Sequence, residues 1–485
     1  MMILDNIING MRVSKIVGEL NINIEGLTLD SRKVQKNFLF IAIEGNNTDG
    51  HQFINQAIEN GAIAIVHTKD VDYLPNITYI KSKENSQAVA ALLAHNFYNK
   101  PSQKIKIIGV TGTNGKTTIA TTLYNLFNLL GVKSGLISTI ANFVGDEKIE
   151  TKLTTPDPIE LHCLFNKMYQ KGCIFCFMEV SSHSAHQQRI AYIDFDAAIF
   201  TNLTHDHLDY HYNFKNYIDA KKIFFDNLKK DAIVLTNIDD RNGNYVVQNT
   251  YKHYTYALKT IADFNARVIE RHFDCTLAEI DGIEVWLQFV GTFNVYNILA
   301  VYGITKQMLG LPKQDILNAI STLKPVQGRF DVLKIANIYA IVDYAHTPDA
   351  LQKTLCELKD IKTENQKIIT VFGAGGNRDA TKRPEMAKVC STLSDIVIIT
   401  SDNPRNENPI SIIDDIEKGI APNTKYFKIV DRKEAIKMSV ELAHQSDIIF
   451  IAGKGHENYQ EINGKRHHFD DKQVVELFLK SKFNN

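Results

Sequence analysis

The feature that most constrains this chain is a glycine-rich segment, GVTGTNGKTT, at residues 109–118. An apolar run, KIKIIGV, leads into it, and a helical pattern begins at Thr117. Glycine lets backbone N–H groups close around a phosphate, and the start of the following helix adds positive potential. A strand, a loop of this kind and a helix in that order predict a phosphate-binding loop at the edge of an α/β sheet.

Two side chains of this loop carry the expected chemistry. Lys116 is placed to reach the β- and γ-phosphates of a nucleotide, and the Thr117 hydroxyl is placed to bind Mg²⁺. The strict consensus has glycine where this chain has Val110, and Gly109 comes one residue early. The alternative is a glycine-rich turn that arose by chance between a strand and a helix.

Apolar strands alternate with helical patterns along most of the chain after residue 100. The first series is VKSGLIS, CIFCFMEV, DAAIFTNL and DAIVLTN, and the second is YAIVDYA, KIITVFGAG, DIVIIT and DIIFIAG. Continuous apolar strands are typical of parallel sheets covered by helices on both faces. TLAEIDGIEVWLQF has an Asp-Gly turn between alternating runs and predicts a hairpin. FGAGGN resembles a dinucleotide fingerprint but lacks its full spacing, so it is weak evidence of a second nucleotide site.

The length of 485 residues indicates roughly three domains. Short strands and helices mix before residue 100, and the segments YNKPSQ (98–103) and LKPVQGRFD (323–331) indicate breaks. We therefore expect an α/β protein of three domains. They are a small N-terminal α/β domain (1–100), a central parallel-sheet domain with the phosphate loop (101–325) and a C-terminal Rossmann-like domain (326–485).

Composition excludes several classes of function. The chain is 44% hydrophobic and 22% charged with a net charge of −1, so no overall field draws it to nucleic acid or a membrane. No apolar run approaches the ~20 residues of a spanning helix, and MMILDNIING does not resemble a signal peptide. Cys173 and Cys176 have zinc-knuckle spacing but lie in an apolar run without a second pair, so we expect buried thiols. A reduced, cytoplasmic protein is the expectation.

Candidate metal ligands follow two of the predicted strands. Glu179 ends CIFCFMEV, and His207 follows AAIFTNL in the stretch THDHLDYH. Carboxyl ends of parallel strands face the ligand crevice, so both side chains can point toward the phosphates. His205, His207 and His211 could instead form a zinc site, but the adjacent phosphate loop favours Mg²⁺. A third possibility is that these histidines cap a loop and bind nothing.

Lys221 lies in FKNYIDAKKIFFDNL, where helical spacing puts it on one face with apolar neighbours. That face also carries Tyr217, Phe224, Phe225 and Leu228. The spacing predicts that Lys221 points inward and Lys222 outward. A buried lysine is unfavourable unless it is paired or chemically changed, although its stem can also extend to the edge of the core.

Together these motifs resemble those of the Mur ligase family, ATP-dependent enzymes that build the cell-wall peptide on UDP-N-acetylmuramic acid. They occur in the family's order and are TGTNGKTT, MEVSSH, HDHLDYH, YxxAK, GTFNVYN, GRFD, DYAHTPDA, GGNRDATKRP, DNPR and GKGHE. The resemblance covers nearly the whole chain. It implies a nucleotide-sugar domain, an ATPase domain and an amino-acid domain, and it is strongest to members that add meso-diaminopimelate.

The resemblance implies roles for the residues around ATP. Lys221 would be carbamylated by CO₂; Thr117 and Glu179 would hold one Mg²⁺, and His207 and the Lys221 carbamate a second. Lys116, Lys221, Glu179, His207 and Arg329 would be the catalytic set. The resemblance places the nucleotide on Gly112, Thr113, Asn114, Gly115, Lys116, Thr117, Thr118, Asn294, Asn297 and Asp343.

The resemblance also implies where the other two substrates bind. The UDP-sugar dipeptide would contact Leu29, Ser31, Asn46, Asn47, Thr48, Thr154, Thr155, Ser181, Gln187 and Arg189. meso-Diaminopimelate would contact Arg378, Asp402, Asn403, Pro404, Arg405, Gly453 and Glu457. Leu153 stands where relatives often carry asparagine, and His205 where many carry arginine, which puts those single contacts in doubt. An alternative for Arg405 is an ion pair with a neighbouring loop.

The implied reaction forms an acyl phosphate on the D-glutamate of UDP-N-acetylmuramoyl-L-alanyl-D-glutamate, which the incoming amine then attacks. The competing hypotheses are a folylpolyglutamate-type ligase, a lysine-adding Mur ligase and a nucleotide-gated binding protein without amide chemistry. About 100 residues before the phosphate-loop sheet disfavour the first of these. We expect a monomer that binds neither nucleic acid nor membrane, with domain closure about residues 324–328.

Overall fold

The computed structural model describes residues 1–45, 48–84, 87–151 and 153–483. Asn46 and Asn47, two of the candidate contacts for the nucleotide sugar, lie outside the described residues. Short 3₁₀ turns occur at Ser31–Lys33, Gly50–Phe53 and Pro101–Gln103.

The N-terminal part folds around a small, mostly parallel sheet. Its elements are β1 (Met2–Ile3), α1 (Leu4–Ile7), β2 (Val13–Val17), β3 (Asn23–Ile24), β4 (Gly26–Thr28), β5 (Phe38–Ile41), α2 (Ile54–Glu59), β6 (Ala62–His67), β7 (Thr78–Ser82) and α3 (Gln87–Phe97). The strand order is β2-β7-β6-β5-β4, with β2 antiparallel to β7, and β1 pairs with β3 in a separate ribbon. The mixture of short strands and helices expected before residue 100 is confirmed.

The central part is a long sheet with helices on both faces. Its elements are β8 (Lys106–Thr111), α4 (Lys116–Leu129), β9 (Ser134–Ile137), β10 (Asn142–Val144), β11 (Glu147–Ile149), α5 (Pro158–Gln170), β12 (Phe175–Glu179), α6 (Ser182–His186), β13 (Phe195–Phe200), α7 (Leu208–His211), α8 (Phe214–Asp226), β14 (Ile233–Asn237), α9 (Gly243–Val247), β15 (Lys252–Ala257), β16 (Phe264–Arg271), β17 (Thr276–Ile280), β18 (Ile283–Leu287), α10 (Thr292–Leu309) and α11 (Lys313–Ser321). The strand order is β11-β10-β9-β12-β8-β13-β14-β15-β16-β17-β18.

Alternation along the central strands builds two cores. In β12, Phe175 and Phe177 pack with α4 on one face, while Cys176 and Met178 pack with α5 and α8 on the other. The strands from β9 to β16 in the sheet run parallel, and antiparallel hairpins close both edges. The predicted Asp-Gly hairpin is confirmed as β17–β18. Its turn residues Asp281 (φ +51°) and Gly282 (φ +79°) have the left-handed backbone that such turns require.

The C-terminal part is a second doubly wound sheet. Its elements are β19 (Asp331–Ile335), β20 (Ile338–Asp343), α12 (Pro348–Ile361), β21 (Ile368–Phe372), α13 (Lys382–Leu393), β22 (Ile396–Ile399), α14 (Pro409–Glu417), β23 (Tyr426–Lys428), α15 (Arg432–Leu442), β24 (Ile448–Ala452), β25 (Tyr459–Ile462), β26 (Lys465–His468) and α16 (Asp471–Phe483). The strand order is β19-β20-β24-β21-β22-β23, with β19 antiparallel, and β25 and β26 form a separate hairpin. The α/β fold class, with one main sheet in each of the three parts, is confirmed for the described residues.

Two expectations about buried side chains have different outcomes. Cys173 and Cys176 are buried free thiols, as predicted. The prediction that Lys222 points outward is wrong: it is buried, and it pairs with Asp226 on the same helix. The reason is that α9 packs against α8 and covers the face that helical spacing assigned to solvent.

Within the described ranges, no helix combines the length and apolar character needed to cross a membrane.

Candidate active site

Loops at the carboxyl ends of the central and C-terminal sheets enclose a shared cavity of about 840 Å³. Most candidate residues line it, namely Thr113, Asn114, Gly115, Lys116, Thr117, Thr118, Thr154, Thr155, Glu179, Ser181, Arg189, His207, Lys221, Asn294, Asn297, Arg329, Asp343, Arg378, Asp402, Asn403, Arg405, Gly453 and Glu457. The candidates outside its lining among the described residues are Leu29, Ser31, Thr48, Gly112, Gln187 and Pro404.

The phosphate loop turns tightly between β8 and α4. Gly112 has a φ of +149°, and a Cβ there would lie 1.9 Å from the Thr201 hydroxyl, so only glycine fits. The Thr113 N–H donates to Asn202 O at 2.8 Å, which fixes the loop against the chain after β13. The Lys116 ammonium donates to Gly112 O at 2.9 Å and Thr113 O at 2.8 Å. Lys116 therefore lies inside the loop, where phosphate oxygens would be its natural partners.

Thr117 and Arg329 meet across the two sheets. An Arg329 Nη2 donates to Thr117 Oγ1 at 3.0 Å, and its guanidinium stacks on the Tyr344 ring at 4.4 Å. The Arg329 Nε is buried with no hydrogen-bond partner among the described atoms. An arginine that is held on an aromatic face and retains an unused donor is well placed to contact a phosphoryl group.

Glu179 is buried at the end of β12. Its Oε1 accepts the Thr139 N–H at 2.7 Å, and its backbone carbonyl accepts the Thr155 hydroxyl at 2.8 Å. These contacts fix the carboxylate at the edge of the cavity that Thr117 also lines. A carboxylate and a hydroxyl are the oxygen ligands that Mg²⁺ prefers.

His207 lies in a strained turn that follows β13. Its φ is +55°, and its N–H donates to Asp206 Oδ1 at 2.9 Å. Burial lowers the pKa of His207 to about 3; Asp206 opposes this shift, while His183, Lys116 and Lys221 reinforce it. The imidazole is therefore neutral at physiological pH, as a metal ligand must be.

Lys221 is the fully buried lysine that its helical phase predicts. Its ammonium donates to Gly112 O at 2.8 Å and lies 4.8 Å from the centre of the Tyr217 ring. Burial, with repulsion from Lys116, lowers the pKa of Lys221 well below that of a free lysine, although Asp206 opposes this. The lowered pKa increases the fraction of neutral amine, which is the form that reacts with CO₂. The site therefore fits a carbamate chemically.

The candidate metal ligands at this site suit Mg²⁺ better than Zn²⁺. Thr117, Glu179 and His207 line the same cavity as Lys221, and a carbamate there would add a further oxygen ligand. Over the ranges described, no group of three His, Cys, Asp or Glu side chains is arranged to hold a metal ion. His211 Nε2 instead lies 3.0 Å from the Ser182 hydroxyl, and His205 is exposed.

One side of the cavity is formed by the start of α10 and the end of β20. Asn294 Nδ2 donates to Val290 O at 2.8 Å, and Asn297 Nδ2 donates to Asn294 Oδ1 at 3.1 Å. The Asp343 carboxylate accepts the N–H groups of Phe330 at 2.6 Å and Ala345 at 2.8 Å. Burial raises the pKa of Asp343, although Arg329 and these N–H groups oppose it.

A second polar cluster lies beside Glu179. Arg189 donates to Gln187 Oε1 and to Thr155 O, both at 2.8 Å. The Ser181 N–H donates to the Thr155 hydroxyl at 3.2 Å. On the N-terminal sheet, the Ser31 hydroxyl donates to Gln56 Oε1 at 2.6 Å. The structure brings the first group together, and its role in binding stays a prediction.

The DNPR segment forms a clasped turn after β22. Arg405 has a φ of +52°, its N–H donates to Glu461 O at 3.0 Å, and Asn463 N–H donates to its carbonyl at 2.7 Å. Its guanidinium donates to Gly376 O at 2.6 Å and lies 4.0 Å from the Glu461 carboxylate. The side chain is 27% exposed. Arg378 is exposed on the facing loop. Arg405 therefore contacts a neighbouring loop and also lines the cavity.

Sequence reasoning missed the contacts that join the two sheets. Lys382 donates to Asp206 Oδ1 at 2.6 Å, and the Asp349 carboxylate accepts both Asn114 Nδ2 and Thr204 Oγ1 at 3.0 Å. Lys382 and Asp349 belong to the motifs GGNRDATKRP and DYAHTPDA, which were the available signal. These contacts hold the C-terminal sheet against the phosphate loop.

Comparisons with known proteins agree along the chain. A model described as "Mur ligase family, catalytic domain" matches residues 23–101, "Mur ligase middle domain" matches 110–305 and "Mur ligase, glutamate ligase domain" matches 328–455. A UDP-N-acetylmuramoyl-L-alanyl-D-glutamate--2,6-diaminopimelate ligase of Phocaeicola vulgatus is 50% identical, covering 97% of this chain and 98% of the relative. The Bacteroides fragilis protein of that name is 50% identical over 98% and 99%. A solved structure with the same name has a TM-score of 0.66 at 31% identity and covers 97% of each chain.

Proposed function

This chain belongs to the Mur ligase family, and on that premise we propose that it adds meso-diaminopimelate to the D-glutamate of UDP-N-acetylmuramoyl-L-alanyl-D-glutamate. The reaction consumes ATP, forms ADP and belongs to peptidoglycan precursor synthesis. The observation that carries the proposal is the shared cavity, because the phosphate loop and the DNPR turn both line it. The names of relatives with half of their residues identical support the same substrate.

We assign one substrate to each part of the chain. Residues 1–100 bind the UDP-sugar, 101–325 bind ATP and 326–485 bind the amino acid. On the N-terminal part, Leu29, Ser31 and Thr48 contact the nucleotide sugar. The cluster of Thr154, Thr155, Ser181, Gln187 and Arg189 holds the dipeptide, whose free carboxylate is thereby directed toward the phosphate loop.

In the first step, a carboxylate oxygen of D-glutamate attacks the γ-phosphorus of ATP, and the bond to the β–γ bridging oxygen breaks to release ADP. Lys116 and Arg329 stabilise the negative charge on the transferring phosphoryl group, since both cations border the loop. Asn294 and Asn297 bind the adenine and Asp343 the ribose, which keeps the γ-phosphate in place.

Magnesium would be held by Thr117 and Glu179 at one position, and by His207 and a carbamate on Lys221 at the other. Mg²⁺ bound there supplies positive charge that offsets the charge of the phosphates. Asp206 orients His207 through its backbone N–H and its ring.

In the second step, the amine of the amino acid attacks the acyl carbon, and phosphate leaves as the amide bond forms. Arg405 and Arg378 bind a carboxylate of meso-diaminopimelate, while Asp402 and Glu457 face its ammonium group. The buried Asn403 and Pro404 hold this turn in shape. The C-terminal part therefore presents the amine to the phosphate-loop side of the cavity.

An amino-acid panel in a phosphate-release assay tests the proposal. We expect release of phosphate only with UDP-sugar dipeptide, ATP and meso-diaminopimelate together. L-Lysine as the preferred substrate would identify a lysine-adding ligase, and glutamate with a folate would identify a folylpolyglutamate-type enzyme. ATP binding without release under any combination would indicate a binding protein. We further propose that the protein acts in the cytoplasm as a monomer.

A further inference from the structure

Lys454 is a fully buried lysine in the middle of the proposed amino-acid pocket. It follows β24, one residue after Gly453, and its relative exposure is 0%. Burial of an ammonium group is unfavourable unless nearby acceptors compensate for the lost water. The hydrogen-bond and ion-pair partners of Lys454 therefore show which groups its positive charge stabilises.

Three pocket side chains surround the ammonium of Lys454. It donates to Asn403 Oδ1 and to Glu457 Oε2, each at 3.2 Å, and it lies 3.8 Å from Asp402 Oδ1. The centre of the Tyr459 ring is 5.4 Å away. These contacts are with the same three polar residues that we assign to the amino acid, so the lysine forms the floor of that pocket.

The hydrogen bonds around Asn403 give this arrangement a fixed orientation. Asn403 Oδ1 accepts from Lys454 and from the Glu461 N–H at 2.9 Å, and this turns its Nδ2 to donate to Glu457 Oε2 at 2.8 Å. Glu457 Oε2 thus receives two donors. The other carboxylate oxygen, Oε1, makes no hydrogen bond within the described part of the chain, and we assign it to the ligand.

Asp402 depends on the same cation. Its Oδ1 is buried with no hydrogen-bond partner among the described atoms, and Gly453 approaches its Oδ2 so closely that a Cβ would lie 2.7 Å away. Without Lys454, Asp402 and Glu457 would lose a cation 3.8 Å and 3.2 Å away, which would leave Arg432, paired with Asp471, as the other buried cation beside them. Repulsion between the two carboxylates would then rotate one of them out of the position in which it receives an ammonium group.

We propose that Lys454 is a positioning residue for the amino-acid substrate, holding Glu457 and Asp402 as oriented carboxylates that receive the ammonium group of that substrate. The inference rests on the proposed function, because it assigns the pocket to a zwitterionic amino acid. Lys454 does not itself contact the substrate in this scheme; it acts through Asn403 and Glu457.

The test is steady-state kinetics of Lys454→Met with each substrate varied in turn. We expect the KM for meso-diaminopimelate to rise about 30-fold or more, because a buried partner charge is left uncompensated. The KM values for ATP and the UDP-sugar dipeptide should stay unchanged, a split that general destabilisation does not produce. Lys482→Met is the control, since Lys482 on α16 donates to Val440 O and Ala443 O at the end of α15, outside the pocket. It should lower the melting temperature without changing the KM for the amino acid.

A double-mutant cycle covers the case in which Lys454→Met does not fold. Lys454→Met combined with Glu457→Gln removes both charges, and such replacement is tolerated better than the loss of one partner. Its KM for the amino acid should be close to that of Glu457→Gln alone. A full additional 30-fold increase, or an unchanged KM in folded Lys454→Met, would overturn the proposal. If the wild type does not use meso-diaminopimelate, the proposed function fails separately, and the same variants are then measured with the amino acid that the panel identifies.

Discussion

Replacement of Arg405 tests the choice of amino acid directly. meso-Diaminopimelate carries a carboxylate at its distal end, where L-lysine has only an ammonium group. Arg405 already uses one N–H on Gly376 O, so its remaining guanidinium donors are available to that carboxylate. Because this contact can form with meso-diaminopimelate and not with L-lysine, Arg405→Ala should change the ratio of the two kcat/KM values.

The magnitude follows from the exposure and partners of Arg405. Loss of a buried, hydrogen-bonded charge pair costs about 2–5 kcal/mol. Arg405 is 27% exposed and the Glu461 carboxylate is 4.0 Å away, so solvent and a competing anion weaken the pair. We therefore expect the lower part of that range, about 2–3 kcal/mol, or a loss of about 30- to 150-fold in kcat/KM for meso-diaminopimelate. The value for L-lysine should change little.

The assay is phosphate release with each amino acid at saturating ATP and UDP-sugar dipeptide. Arg405→Lys should recover only part of the loss, because an ammonium cannot form the paired contacts of a guanidinium. Arg466→Ala is the control, since Arg466 is exposed on the β25–β26 hairpin that contacts the Arg405 turn, and it stacks on Tyr459 at 4.1 Å. Equal use of both amino acids by the wild type, or an unchanged ratio in Arg405→Ala, would refute the role of Arg405 as selector.

Four further outcomes are expected. Lys221→Ala should lose most turnover, and short carboxylic acids but not bicarbonate should restore part of it; full activity of this variant would contradict a required carbamate. Asp206→Asn and Lys382→Met should be coupled by about 1–2 kcal/mol in a cycle of unfolding free energies, because the pair is largely buried; additive effects would argue against the contact. Solution scattering should show closure about residues 324–328 when all substrates bind, and identical curves would contradict it. Burial lowers the pKa of His162 from 6.5 to about 3, so between these pH values the unfolded chain binds more protons than the folded chain. The free energy of unfolding therefore falls as pH drops below 6.5, and His162→Phe should make this fall smaller in urea titrations at pH 5 and pH 8. An equally steep fall in the variant would exclude His162 as its source.

Local patterns in the sequence predicted the parts of this structure that local physics determines. The strand–loop–helix order around Lys116 and the inward helical phase of Lys221 required only neighbouring residues. Lys222 was assigned to solvent because helical spacing shows two faces of α8 and cannot show that α9 covers the second. Whether a face is exposed depends on what packs against it, which the period of one helix does not contain.

Contacts between distant segments could not be predicted in this way. Asp206 and Lys382 are 176 residues apart, and although each lies in a family motif, neither motif shows that the two side chains pair. Lys454 lies in the GKGHE motif together with Glu457, but Asp402 and Asn403 belong to the distant DNPR segment, and the sequence does not show that the two segments meet. The resemblance to a known family named most candidate ligands, but it did not reveal the residues that hold those ligands in place.

The pocket for the amino acid is built from connections after β21, β22 and β24, whereas the phosphate loop follows β8 in another sheet. Evolution can therefore alter the choice of amino acid by changing a few residues of these connections, with little risk to the phosphate loop or to the core of the central sheet. A lineage with this fold could change from one amino-acid substrate to another through intermediates that remain active. Substitutions that change the amino-acid substrate are expected first where β25 is hydrogen-bonded to the Arg405 turn.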